Sequence, residues 1–251
     1  ATLTTDQSVN IADCKVTYES DDESILTVDE NGVIKGVGEG IATVTVYVEK
    51  DGYKISKTIK FAIYEKYSGT LKEGFKQVNF GNSYGYADFV GDKLLLRSSG
   101  KDFWGAADDG YYLYKEYKGK SDISLEMTVD SLLQKSSNTS VGLTIREAAE
   151  ADSRNVTIRV TAGGGIICLW RDEKGGGCDY KSFEGNGFPV KMKIEKSGAL
   201  VSMYIDKGKG YELLTTHEYS GTNFTAGITM FAQAEDNLST EANISNFVIN
   251  E

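Results

Sequence analysis

Short apolar and polar alternations separated by glycine-bearing turns run through almost the whole chain, and that rhythm leaves few architectures open. Ile41 to Val48, Ile123 to Val129, Val156 to Val160, Met192 to Glu195 and Leu200 to Ile205 all read with a period of two, the mark of strands with one face buried. Turn signals fall around them at Asn31-Gly32, Asp51-Gly52, Gly163 to Gly165, Gly175 to Gly177, Ser197-Gly198 and Lys207 to Gly210. Helical periodicity is scarce. Parallel strands would need long crossovers, so the spacing predicts an all-β fold of antiparallel sandwiches joined by hairpins.

A chain of 251 residues exceeds one small domain and fits two. The boundary is expected near Tyr64 to Gly69, giving units of 1–66 and 67–251. Such a link either restrains the swing of the two units or is itself a packed interface. The net charge of −10 repels polyanions, which excludes nucleic acid as a partner and leaves neutral glycans open. No run approaches the ~18 apolar residues of a membrane span, so no membrane insertion is expected. Cys14, Cys168 and Cys178 lack CxxC spacing, which argues against zinc. Cys168 and Cys178 flank a hairpin loop; they form either a cross-strand disulfide, if the register brings them together, or two buried thiols.

In the first unit the run Val16-Thr17-Tyr18-Glu19-Ser20, then Ile25 to Gly36 (ILTVDENGVIKG), then Gly40-Ile41-Ala42-Thr43-Val44-Thr45-Val46 resembles the bacterial immunoglobulin-like domain, group 2. The resemblance implies an immunoglobulin-like β-sandwich acting as spacer or adhesive module, in an extracellular or bacterial cell-surface protein. Asp21-Asp22-Glu23 and Asp29-Glu30 are read as solvated turn carboxylates ahead of calcium ligands. Cys14 is read as a buried small apolar residue.

The second unit carries Gly100-Lys101-Asp102-Phe103-Trp104-Gly105, Tyr111-Tyr112-Leu113-Tyr114, Ile123 to Met127, Val141 to Glu147 and Asp152-Ser153-Arg154-Asn155. These look like the concanavalin-like jelly-roll modules appended to bacterial glycoside hydrolases. Val190 to Glu195 with Val201 to Asp206, and Ala226 to Phe231 with Ile244 to Phe247, also resemble carbohydrate-binding module family 66. What the resemblance implies is a jelly-roll β-sandwich that binds a polysaccharide or oligosaccharide, fructan among the options, beside a catalytic domain on the same parent chain.

A sugar ring offers C–H groups to an aromatic face and hydroxyls to charged partners. Trp104 stands in a polar, glycine-punctuated loop between Asp102 and the Asp108-Asp109 pair, and is either a stacking platform or a plug beneath the loop; Asp102, Asp108 and Asp109 are the candidate carboxylate contacts beside it. Arg146 follows Leu143, Thr144 and Ile145, which puts it on the polar face with Thr144 and makes it the preferred ligand contact. Glu147 adjoins it and can turn inward from the next loop. Arg154 either reaches the ligand or pairs with Asp152. Trp170 offers a second ring face or covers a sheet edge, and Tyr112 and Tyr114, which alternate onto one face, either line a shallow groove or are ordinary tyrosines of an exposed strand face. Arg97 and Arg159 are expected to pair with neighbouring carboxylates.

No cofactor and no metal ligand is assigned; a structural calcium would find Asp88, Asp92 and Asn246. The single histidine, His217, has no nucleophile motif near it, so catalysis is not expected, although two carboxylates suffice for a glycosidase. Three readings stand: a glycan-binding module, an adhesive segment that binds protein, and a lectin-like hydrolase.

Overall fold

The computed structural model describes residues 11–38, 40–63, 71–234 and 239–251. The chain divides into two compact units, Ala1–Tyr67 and Ser68–Glu251. The boundary expected at Tyr64 to Gly69 lies outside the described residues.

The first unit holds β1 (Lys15–Ser20), β2 (Leu26–Val28), β3 (Ile34–Gly36), β4 (Gly40–Lys50) and β5 (Tyr53–Ile63). β1, β4 and β5 form one antiparallel sheet, and β2 and β3 pair beside each other. Asp51 and Gly52 both take positive φ, 51° and 82°, the backbone that a two-residue hairpin closed by Lys50 and Tyr53 requires. Leu26, Ala42 and Val44 form a small core with Tyr18, Val46 and Phe61 packed around it. The acidic residues here lock turns. Asp29 Oδ1 accepts from the backbone N–H of Asn31 and Val33, and Asp21 accepts from the N–H and hydroxyl of Thr43, both at 2.6 Å. Those Thr43 bonds hold the Asp21 carboxyl below the usual aspartate range. Cys14 is half-buried.

The second unit contains β6 (Lys76–Phe80), β7 (Gly85–Val90), β8 (Lys93–Ser98), β9 (Gly110–Tyr117), β10 (Ile123–Leu132), β11 (Ser140–Arg146) and β12 (Asn155–Thr161). It continues with β13 (Ile166–Arg171), β14 (Asp179–Phe183), β15 (Val190–Ser197), β16 (Leu200–Asp206), β17 (Tyr211–Glu218), β18 (Phe224–Phe231) and β19 (Thr240–Asn250). Two seven-stranded antiparallel sheets result: a front sheet β14-β13-β12-β11-β18-β9-β6 and a back sheet β17-β16-β15-β10-β19-β8-β7. The expected turns occupy their places, with Gly164, Gly175, Gly198 and Gly208 all at positive φ between paired strands. Leu143, Ile158, Ile228, Leu125, Met192 and Met203 are wholly buried in the core between the sheets.

The two sheets differ on their outer faces. From Ile123 to Asp130 in β10 burial alternates residue by residue, as the period of two predicts, whereas β11, β12 and β18 are buried at every position. Segments 99–109 and 147–154 lie across the front sheet and roof it. Phe103 from the first packs with Phe80, Tyr112, Tyr114 and Phe231 into a second apolar cluster on that outer side. The Asp108 N–H donates to the Ala151 carbonyl at 3.0 Å and so ties the two segments together.

Cys168 and Cys178 are not bridged. The β13–β14 register sets Lys181, not Cys178, opposite Cys168; Cys168 points into the core, while Cys178 sits against the Gly105 carbonyl under the outer roof. Burial pushes the Cys168 thiol up to about 12, so almost no thiolate is available at neutral pH. A thiol reagent is therefore expected to label Cys168 only as the protein unfolds; rapid labelling of Cys168 in native buffer, located by mass spectrometry, would contradict this packing.

Candidate ligand-binding surface

The roof over the front sheet decides which of the expected residues can meet a ligand. Arg146 lies on the polar side of β11, as its alternation with Thr144 predicts, yet it is 0% exposed. Its Nη2 donates to Asp108 Oδ2 at 2.6 Å and to the Glu150 carbonyl at 2.9 Å. The rings of Phe80, Tyr112 and Phe103 surround the guanidinium with centroids at 5.2, 5.6 and 5.8 Å. The role of ligand contact given to Arg146 and Asp108 is thereby corrected: a charge caged this way is closed to a sugar. Arg171 joins the same carboxylate from β13, its Nη2 2.6 Å from Asp108 Oδ1, and donates further to the carbonyls of Gly105, Gly176, Ala151 and Ser153.

Tyr112 and Tyr114 share a face and stack at 4.9 Å. They line no open groove. Tyr112 is wholly buried, bonded to Thr225 Oγ1 at 3.0 Å, and its burial raises its phenol well above the usual range. Asp109 pairs with Asp102 across the neck of the 99–109 loop and leans on Gly81.

What stays open is the rim of the roof. Trp104 is half-buried, and its ring meets Tyr180 on edge strand β14 at 4.8 Å and 66°. Tyr180 is 53% exposed. Beneath Trp104 lies the buried guanidinium of Arg159, 5.8 Å from the ring, whose Nη1 donates to Asp102 Oδ1 at 3.1 Å. The Asp102 side chain keeps 34% of its surface in solvent. Arg159 and Arg97 thus both take carboxylate partners as expected, Arg97 pairing with Glu241 directly across the β8–β19 ladder at 3.2 Å. Tyr180 escaped the sequence reading because a tyrosine on an exposed edge strand carries no pattern of its own.

Arg154, Trp170 and the electrostatic reach of Glu147 converge elsewhere. Trp170 faces inward from β13 and stacks on His217 of β17 at 4.6 Å. Arg154 lies over Tyr219 at 5.5 Å, and its expected partner Asp152 pairs instead with Lys174. Burial pushes the Tyr219 phenol up to about 12, with Glu147 adding to the rise and Arg154 opposing it. Of these groups, Arg154 and His217 line a separate depression at the end of the sandwich.

Of the residues considered for calcium, Asp88 lies in β7, Asp92 in the turn after it, and Asn246 at an irregularity of β19, donating to Thr128 Oγ1 at 3.4 Å. Among the described residues no three His, Cys, Asp or Glu side chains gather as a metal site. No helix there is long and apolar enough to cross a membrane.

Among solved structures, a functionally unknown protein from Saccharomyces cerevisiae is similar at 11% identity and TM-score 0.52, over 70% of this chain and 96% of its own. That likeness is one of fold. Carbohydrate-binding module CBM66 from Bacillus subtilis aligns at 15% identity and TM-score 0.49, over 71% of this chain and 96% of its own. A legume lectin-like domain from Entamoeba histolytica aligns at 12% identity and TM-score 0.47, over 69% and 90%. No curated protein matches. At the other end of the chain, the family model of the bacterial Ig-like domain (group 2) matches residues 1–59.

Proposed function

We propose that the second unit is a non-catalytic module that binds a neutral glycan, carried by the first unit as a spacer within a larger extracellular bacterial protein. The observation that carries this reading is the Trp104–Tyr180 ridge. Two aromatic rings meet at the edge of an otherwise closed roof, with the half-exposed Asp102 carboxylate beside them. A ring of this kind accepts the C–H patch of a sugar, and a carboxylate held by Arg159 accepts its hydroxyls at charge-assisted strength. The net charge of −10 favours neutral over acidic chains. The group 2 match over residues 1–59 supports the spacer role and the extracellular setting.

A glycan array probed with the whole chain tests the reading. Retention is expected on neutral polysaccharides, and the array includes fructans, which the sequence resemblance singles out. Binding to no glycan, or to acidic glycans alone, would overturn the proposal and leave the adhesive, protein-binding role.

A further inference from the structure

At one end of the sandwich, where β12 begins, β13 and β17 end and the β15–β16 turn passes, a cleft of about 350 Å³ opens between Arg154, Asp172, Ala199, His217, Glu218 and Ser220. We infer that this cleft is a second site, shaped for one neutral sugar ring gripped through a vicinal diol. The inference rests on the reading of this unit as a glycan binder, but it uses none of the ridge residues.

The floor of the cleft is preorganised. His217 stacks on Trp170 at 4.6 Å and 17°, so a strand of the back sheet is pinned to one of the front sheet by two parallel rings. Its Nε2 lies 2.6 Å from Asp172 Oδ1; since the carboxylate only accepts, Nε2 carries the proton, and this bond fixes the imidazole. Lys181 Nζ donates to Thr215 Oγ1 at 3.0 Å and joins β14 to β17 a little further along.

Two charges on the walls, Arg154 and Glu218, have no hydrogen-bond or ion-pair partner among the described residues. The Arg154 guanidinium makes no hydrogen bond or ion pair among the described residues, and its Nε is buried. Glu218 is exposed and likewise unpaired among them. A guanidinium and two carboxylates around one cleft restrict what can enter. An anion meets Asp172 and Glu218; a cation meets Arg154. A pair of adjacent hydroxyls satisfies both signs at once, because each hydroxyl accepts from the guanidinium and donates to a carboxylate. The volume lies at the low end of small-molecule sites, which suits one ring and therefore a chain end or a free monosaccharide.

The test is an amide-shift titration of the isotope-labelled whole chain with the common neutral monosaccharides, and with glucuronate and glucosamine as charged controls. At least one neutral sugar is expected to produce saturating shifts at Ala199, His217 and Ser220. Glu218→Gln and Arg154→Met should each weaken it roughly tenfold or more, as the loss of a charged hydrogen bond predicts, while Trp104→Ala changes it by less than about twofold. Glu218 is on the surface, so its variant is expected to fold. The inference fails if no neutral monosaccharide shifts these amides, if a charged control binds as tightly, or if the binding follows Trp104 and not Glu218. If the unmutated chain retains no polysaccharide while a neutral monosaccharide still shifts the cleft amides, the ridge reading falls and this site stands.

Discussion

Replacing Asp108 by alanine is expected to lower the melting temperature of the second unit by roughly 6–20 °C. One carboxylate lies between two guanidiniums, and the side chains of Arg146 and Arg171 are 0% exposed while that of Asp108 is 1% exposed. Removing one partner of a buried pair costs about 3–5 kcal/mol, because the remaining charge stays desolvated and uncompensated. For a unit of this size each kcal/mol moves the midpoint by about 2–4 °C. Arg146→Met provides the contrast. It removes the charge together with two buried N–H donors, Nε and Nη1, that have no hydrogen-bond partner among the described residues, and leaves Asp108 paired one to one with Arg171. The loss from Arg146→Met should therefore be the smaller of the two. Calorimetry on both variants checks the order; a midpoint within 2 °C of the parent for Asp108→Ala would mean that the cage does not hold the roof down. An arginine exposed as a ligand contact could be removed at little cost to stability; Arg146, caged and paired with Asp108, cannot.

How far the sequence reveals this molecule depends on the range of each interaction. Strands and turns are local. Ile123 to Val129 and Leu200 to Ile205 alternate as they do because one face meets the opposite sheet, and Asp51-Gly52 turns where only positive φ fits. Periodicity also put Arg146 on the correct face. It could not say that the face is covered, because the cover comes from Phe103 and Asp108, some forty residues earlier, and from the 147–154 segment folding back over its own strand. An arginine on a polar face reads alike whether it faces solvent or a roof. The cleft is harder still. His217 was a lone histidine in a strand, and its meaning comes from Asp172 and Trp170, 45 and 47 residues away across the gap between the sheets. Among the glycan candidates of the 99–109 loop, Trp104 and Asp102 keep part of their surface in solvent, whereas Asp108 is buried under the roof.

Trp104→Ala is expected to weaken glycan retention by ten- to a hundredfold. Stacking of a sugar on an indole, with the apolar area it removes from water, is worth about 1–3 kcal/mol, and each 1.4 kcal/mol is a factor of ten. The alanine variant removes the ring but leaves the Arg159–Asp102 pair, so folding should survive with a modest drop in midpoint from the lost cover over the guanidinium. Asp102→Asn is the poorer probe. It strips the charge partner from an arginine that is 4% exposed, and a fall in binding would mix the lost hydroxyl contact with a loosened roof. Trp104→Phe and Tyr180→Ala separate the contributions: the phenyl ring should keep most of the affinity, and loss of Tyr180 should cost less than loss of Trp104, because the larger indole face remains when only its edge-on neighbour is removed. Affinity electrophoresis in gels containing the retained polysaccharide ranks the four proteins in one experiment. If Trp104→Ala migrates with the parent, the ridge does not bind the glycan. Whatever retention then remains must come from another surface, and the Arg154–Glu218 cleft is the first to examine, because those two charges have no hydrogen-bond or ion-pair partner among the described residues.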